Sequence, residues 1–155
     1  MRSATPKVLH AIGGRTLLGH AMTAARSLDP DHLVVVVRHG RDRVAPHVVE
    51  VDPKALVADQ DEIKGTGRAA WCALRDLDAV AAVSGAVVVL AGDVPLLDSG
   101  TLAQVLEAHA ADGNAVTVLT TQVADPSGYG RIVREAGTGD VLRIVEHSEA
   151  NADEL

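Results

Sequence analysis

The feature of the sequence that most constrains the fold is a long apolar run in its middle, from Ala86 to Leu97. The run is rich in β-branched residues and is interrupted by Gly92-Asp93, which is typical of a strand buried on both faces of a parallel sheet. Ligands bind such sheets at the carboxyl ends of the strands. The sequence therefore predicts a central strand that ends at a ligand-binding edge, with Asp93 at that edge.

Asp93 is the first candidate functional residue, because a carboxylate at a strand end can hold a divalent cation that bridges phosphates. Gly92 beside it would let a ligand approach the backbone closely, and Pro95 would end the strand. The alternative is an ordinary strand-to-loop turn capped by Asp93, which is common in α/β proteins. The run alone leaves both interpretations open.

The rest of the chain alternates between helical and strand patterns. Apolar positions at helical spacing predict helices over 16–28, 41–49, 67–80 and 99–111. Further β-branched runs predict strands over 32–37, 55–58, 86–90 and 115–121, and a hairpin of 132–134 with 141–145. Alternating strands and helices indicate βαβ units, so we expect an α/β fold with a doubly wound, mostly parallel sheet.

Composition limits the class of protein. The net charge is −7 without a basic cluster, so we expect no nucleic-acid partner. No apolar run approaches the ~20 residues of a membrane helix, and we expect no membrane association. Cys72 is the only cysteine, so no internal disulfide can form, and we expect a cytoplasmic chain with Cys72 in the core.

Three further loops are predicted to lie at the same edge of the sheet. In Gln60–Gly67, glycines allow close approach of a ligand, and the Gln60 amide can recognise a base. Asp125–Arg131 holds paired glycines, and Glu146 follows a strand, where it can bind sugar hydroxyls. The alternatives are a glycine-rich turn with a threonine cap for the first loop and a solvated carboxylate for Glu146.

Five short motifs occur in a specific order: Pro6-Lys7-Val8-Leu9, Gly65-Thr66-Gly67, Gly92-Asp93-Val94-Pro95-Leu96, Gly128-Tyr129-Gly130-Arg131-Ile132 and Ile144-Val145-Glu146. Together they resemble the uridylyltransferase domain of the bacterial bifunctional N-acetylglucosamine-1-phosphate uridylyltransferase / glucosamine-1-phosphate acetyltransferase family, over residues 1–150. The resemblance implies a nucleotide-diphospho-sugar transferase fold (Rossmann-like, GT-A-like). It also implies Mg²⁺-dependent transfer of a uridylyl group from UTP to N-acetylglucosamine-1-phosphate. The products would be UDP-N-acetylglucosamine, a cell-wall precursor, and pyrophosphate.

The resemblance also implies roles for individual residues. Lys7 would neutralise phosphate charge as pyrophosphate leaves, Asp93 would coordinate Mg²⁺, and Gln60 would recognise the edge of uracil. The other positions would line the nucleotide and sugar sites: Gly65 and Thr66 near the base and ribose, Ala91 and Gly92 near the ribose and phosphates, and Gly130 and Glu146 at the N-acetylglucosamine unit.

The chain departs from the family's pattern at both ends. The family's first strand and its Gly-rich triphosphate loop would precede Met1, and two functional asparagines would follow residue 155. The acetyltransferase β-helix domain, through which full-length members are expected to form homo-oligomers, also lies outside residues 1–155. We therefore expect a partial nucleotidyltransferase domain that lacks its first strand and is inactive by itself. Arg68 occupies a position at which members of the family usually have histidine.

Two alternatives to this function stay open. The first is another sugar-phosphate nucleotidylyltransferase with the same fold, although Tyr129-Gly130-Arg131 and Val145-Glu146 favour N-acetylglucosamine. The second is a non-catalytic module that binds nucleotide sugars, which the missing triphosphate loop favours.

Overall fold

The computed structural model describes residues 3–154. The chain divides into two compact units, with the boundary between Ala111 and Asp112. The first unit contains the helices, a short hairpin and a parallel strand pair, and the second contains an antiparallel hairpin. The α/β class is as predicted.

All four predicted helices and four of the six predicted strands form in the predicted order. The first unit starts with a 3₁₀ turn, Lys7–Leu9, and a short hairpin of β1 (Ala11–Ile12) and β2 (Arg15–Thr16). It continues with α1 (Leu17–Arg26), β3 (Val34–Val37), α2 (Arg41–Val51), β4 (Leu56–Asp59), α3 (Thr66–Asp78) and α4 (Ser99–Asp112). The second unit contains β5 (Arg131–Arg134) and β6 (Val141–Val145).

The parallel pair of β3 and β4 confirms the predicted βαβ unit. Val34 lies beside Leu56, the register continues to Val37 beside Asp59, and α2 makes the crossover. The N–H of Gln60 donates to the carbonyl of Val37 at 2.9 Å, which extends the pairing beyond β4. Gln60 therefore lies at the carboxyl edge of the pair, where the sequence predicted it.

The core of the first unit packs α1 and α2 against β3. The chain contains no phenylalanine, and the buried members of this core are aliphatic side chains and one methionine: Leu18, Met22, Val37, Val44, Val48 and Ala55. Thr16 caps α1 by accepting a hydrogen bond from the Gly19 N–H at 2.9 Å. Cys72 is fully buried on α3, as predicted. No helix within residues 3–154 combines the length and apolarity needed to span a bilayer.

An ion pair joins the last turns of α1 and α2. Arg26 Nε donates to Asp52 Oδ2 at 2.7 Å. The pKa of Asp52 lies below its ordinary value because the Lys54 N–H donates to its carboxylate and because Arg26 does so as well. Asp52 therefore stays charged at neutral pH, and the pair holds the two helices that flank the core.

Two predicted strands are not formed in this structure. Residues 86–90 and 115–121 carry no strand, and Val87, Val88 and Val89 are 42–57% exposed. A strand needs a neighbour whose N–H and C=O groups complete its ladder. Within residues 3–154, the strands form three separate two-stranded sheets, and none of them includes the run 86–90. The prediction that this run is a buried central strand was therefore wrong here.

The β1–β2 hairpin was not predicted. Its turn consists of Gly13 and Gly14, with φ of 58° and 82°. Two consecutive positive φ values are the mark of the tight turn that joins two antiparallel strands with the usual twist. The Gly-Gly pair was therefore the sequence signal for it, although strands of two residues are too short to show alternation.

The hairpin in the second unit was predicted correctly. Strands β5 and β6 pair antiparallel, with Arg131 beside Val145 and Ile132 beside Ile144. Their register shifts after Val133. The hairpin brings the residues before β5 next to those after β6.

Candidate functional site

Lys7 lies on a segment that packs at the carboxyl end of β3. A Cβ atom at Gly40, the residue before α2, would come within 2.7 Å of Pro6 Cγ, so the proline ring fills the space that a side chain would need. Gly40 also has a φ of 62°, which glycine adopts most easily. Arg43 Nη1 donates to the carbonyl of Ala4 at 2.9 Å. These contacts place Lys7 at the predicted ligand-binding edge.

Lys7 and Asp93 form an ion pair although 86 positions separate them in the sequence. Lys7 Nζ lies 2.5 Å from Asp93 Oδ2, and the side chains are 65% and 33% exposed. Gly92 fits closely beside the pair, since a Cβ there would lie 3.4 Å from Leu18 Cδ1 and 3.7 Å from Val8 Cγ1. The structure thus brings the two predicted catalytic residues together. Both charges stay accessible to a ligand.

The donor set around Asp93 fits Mg²⁺ bound together with phosphate. Within the described residues, no group of three or more His, Cys, Asp and Glu side chains is arranged to hold a metal. Mg²⁺ is usually bound through one or two carboxylates, with substrate phosphates and waters completing its shell. One carboxylate paired with a lysine ammonium therefore suits Mg²⁺ that shares its shell with phosphates, and it does not suit an all-protein site.

The loop between β4 and α3 brings Gln60 and Gly65 together. Gln60 Nε2 donates to the carbonyls of Ile63 and Gly65, at 2.9 and 3.1 Å. Both amide hydrogens are thus used inside the loop, and the carbonyl oxygen Oε1 is left to accept a bond from a ligand. Gly65 directly precedes α3 with a φ of 118°, and no side-chain cap is formed. The alternative of a threonine-capped turn is therefore not what the structure shows.

Asp61 and Arg68 in the same region were missed as functional candidates. Arg68 Nε donates to Asp61 Oδ1 at 3.1 Å and to Oδ2 at 2.9 Å, and Nη2 also binds Oδ2. These bonds hold the pKa of Asp61 below its ordinary value and raise the pKa of Arg68, so both groups stay charged at neutral pH. Seven positions apart, with glycines between them, the two residues form no periodic pattern that would reveal the pair.

In the second unit, Gly130 lies close to Glu146. A Cβ at Gly130 would be 3.3 Å from the Val145 carbonyl and 3.8 Å from Glu146 Oε2. Arg131 stabilises the segment before β5, because its Nη1 donates to the carbonyl of Tyr129 at 2.6 Å. The hairpin thus joins the two residues for which a sugar-binding role is predicted.

Two of the predicted residues have no contact that bears on their roles. Thr66 and Ala91 are exposed, at the start of α3 and just before Gly92. Their places beside the ribose stay predictions.

Comparison with known proteins then gives the family. The model of the MobA-like NTP transferase domain matches residues 1–146. The chain belongs to this family. It is 58% identical over 155 residues to the "Bifunctional protein GlmU" of Kineococcus radiotolerans, covering 100% of this chain and 31% of the relative. Two further proteins of that name, from Paenarthrobacter aurescens and Streptomyces avermitilis, are each 54% identical over 154 and 151 residues. The match covers 99% and 97% of this chain, respectively, and 31% of each relative.

The comparisons confirm the resemblance to the bifunctional family. Membership in the NTP transferase family also places the chain among proteins of nucleotidyl transfer. The chain spans about a third of the length of the curated relatives that it matches.

Proposed function

We propose that the chain provides the uridylyltransferase site of a GlmU-type protein, where UTP and N-acetylglucosamine-1-phosphate react to UDP-N-acetylglucosamine and pyrophosphate. The observation that carries the proposal is the Lys7–Asp93 pair beside Gly92. It unites a cation for phosphate and a carboxylate for Mg²⁺ in a family that transfers nucleotides. The same proposal includes a cytoplasmic location, a role in cell-wall precursor synthesis and homo-oligomers formed through segments outside residues 1–155.

The chemistry requires positioning and charge neutralisation rather than a protein nucleophile. A phosphate oxygen of the sugar phosphate attacks the α-phosphorus of UTP, and the bond from this phosphorus to the bridging oxygen of pyrophosphate breaks. Lys7 donates to the departing pyrophosphate. Asp93 would hold Mg²⁺, which would supply further neutralisation of phosphate charge. Because the Lys7–Asp93 pair is exposed, little free energy is needed to separate the two groups for these new partners.

The remaining candidate residues select the substrates. Oε1 of Gln60 accepts a bond from the uracil edge, while its amide hydrogens stay with the carbonyls of Ile63 and Gly65. Glu146 accepts bonds from sugar hydroxyls next to Gly130, which lies against the Val145 carbonyl. Thr66 and Ala91 complete the ribose site in this proposal.

Activity is best tested in a full-length chimera. In this chimera, residues 1–155 replace the segment of the Kineococcus radiotolerans protein that matches them with 58% identity. All kinetic variants described below are made in this chimera, and each is compared with the unsubstituted chimera.

Substituting Gln60→Ala is expected to lower the preference for UTP over CTP about tenfold, because a site that hydrogen-bonds a base rejects analogues that leave its groups unpaired. The measurement is kcat/KM with each nucleotide. Gln104→Ala, an exposed glutamine on α4, serves as the matched control and should leave the preference unchanged. An unaltered nucleotide preference in Gln60→Ala would remove Gln60 from base recognition.

Substituting Lys7→Ala is expected to reduce kcat about 100-fold, since a positioned cation acts most strongly where charge develops on the leaving group. Pyrophosphate release at saturating UTP measures this effect. Lys54→Ala, which removes an exposed lysine after α2, should change kcat less than about twofold. Equal rates for Lys7→Ala and the control would contradict the role of Lys7.

The sugar is tested by a panel of sugar phosphates. The proposal expects N-acetylglucosamine-1-phosphate to be preferred, whereas the alternative, another sugar-phosphate nucleotidylyltransferase, expects a different sugar to react faster. A chimera that binds UDP-N-acetylglucosamine but transfers no uridylyl group would instead favour the non-catalytic binding module.

A further inference from the structure

A continuous chain of contacts leads from α3 to the side chain of Gln60. Arg68 Cζ lies 3.9 Å from the ring centre of Trp71, and the Arg68 guanidinium binds both oxygens of Asp61. Asp61 Oδ1 also accepts the N–H of Ile63 at 3.1 Å, and the carbonyl of Ile63 accepts the Gln60 amide. Each contact therefore restricts the conformation of the next residue in this series.

The loop between β4 and α3 has few other stabilising contacts. Residues 62–67 are exposed, and Gly65 and Gly67 add backbone freedom, so ordering this segment costs conformational entropy. The main further contact is a hydrogen bond of 3.1 Å from Arg38 Nη2 to the carbonyl of Glu62. A bidentate, partly buried ion pair is the strongest contact of this loop.

We propose that the Arg68–Asp61 ion pair is a positioning device that fixes the 60–65 loop and thereby sets the base preference of the site. The inference rests on the proposed function, because it assumes that Gln60 binds the base. Arg68 and Asp61 act through Gln60 and touch no substrate themselves. Arginine is suited to this task because its planar fork binds a carboxylate at two points while its face stacks on Trp71, and neither lysine nor a neutral side chain does both.

The chain contains a matched control for this pair. Arg75 also lies near Trp71, 5.2 Å from the ring centre, and it pairs with Asp76 at 2.7 Å. That second pair stays within α3, and Arg75 acts on Asp61 only through its charge, whereas Arg68 hydrogen-bonds to Asp61 directly. Asp61→Asn and Asp76→Asn therefore both remove the carboxylate partner of an arginine beside the same tryptophan, and only Asp61→Asn releases the loop.

In the chimera, Asp61→Asn is expected to raise KM for UTP and to lower the preference for UTP over CTP, each about fivefold to tenfold, because one charged hydrogen-bonded partner is lost. The value of kcat should change less than about twofold, since Lys7 and Asp93 are untouched. Asp76→Asn should leave all three quantities near those of the parent. Arg68→Met should reproduce Asp61→Asn, and the double variant should be no worse than either single one, because both break one interaction.

Amide hydrogen exchange without nucleotide gives a readout that is independent of turnover. Peptides covering residues 60–67 should exchange faster in Asp61→Asn than in the parent, and at the parent's rate in Asp76→Asn. The melting temperatures of both variants should match that of the parent. Unchanged exchange in Asp61→Asn overturns the inference, and so do additive effects in the double variant or an unaltered nucleotide preference in an active chimera. A parent chimera without uridylyl transfer contradicts the proposed function instead, and exchange then decides whether the pair orders the loop.

Discussion

The Asp93→Asn chimera is expected to lose about 10²–10³-fold in kcat, because removal of one group that stabilises developing charge has effects of this size. Asparagine keeps the shape of the side chain but not its negative charge, so the hold on Mg²⁺ beside the phosphates is lost. The melting temperature should stay the same, since the Lys7–Asp93 pair is exposed and such pairs contribute little to stability.

The control for this variant is Asp59→Asn. Asp59 ends β4 and, like Asp93, pairs with a cation, Arg41 Nε at 2.7 Å, but no role in the reaction is assigned to it. Turnover is measured over a range of Mg²⁺ concentrations with both variants. The metal role of Asp93 would be refuted by parental rates and Mg²⁺ dependence in Asp93→Asn, or by equal losses in Asp59→Asn.

Residues 1–155 expressed alone are expected to make no UDP-N-acetylglucosamine and to aggregate. Val87, Val88 and Val89 are exposed in an extended run that pairs with no strand among the described residues, and such apolar segments are templates for association. Asp93 is also the single carboxylate that the described structure offers beside Lys7.

The aggregation is measured by light scattering and the activity by pyrophosphate release from UTP and N-acetylglucosamine-1-phosphate. The chimera, with the same residues 1–155 in a full-length protein, serves as the positive control. Pyrophosphate release by the short chain above a control without enzyme would contradict this prediction.

Local patterns predicted most of the helices and the parallel pair. Apolar spacing found α1 through α4 within a few residues, because each helix buries one face against its neighbours. The meeting of Lys7 with Asp93 was also foreseeable. The resemblance to the uridylyltransferase family implied roles for both residues at the phosphates of one site, although neither residue ends a strand in this structure.

Local patterns could not predict that residues 86–90 form no strand in this structure. Its composition reports only that the side chains favour burial, whereas strand formation requires backbone partners that another segment must supply. Residues 115–121 show the same pattern and likewise lack a ladder. The Asp61–Arg68 pair was hidden for a different reason, since it depends on how a loop with two glycines folds back onto α3.

The most direct test of the proposed function is product analysis with the unsubstituted chimera, UTP and N-acetylglucosamine-1-phosphate. The account predicts that UDP-N-acetylglucosamine and pyrophosphate form in equal amounts, at a rate comparable with that of the unaltered Kineococcus radiotolerans protein and dependent on Mg²⁺. A folded chimera that forms no UDP-N-acetylglucosamine, or that transfers uridylyl groups faster to another sugar phosphate, would contradict it.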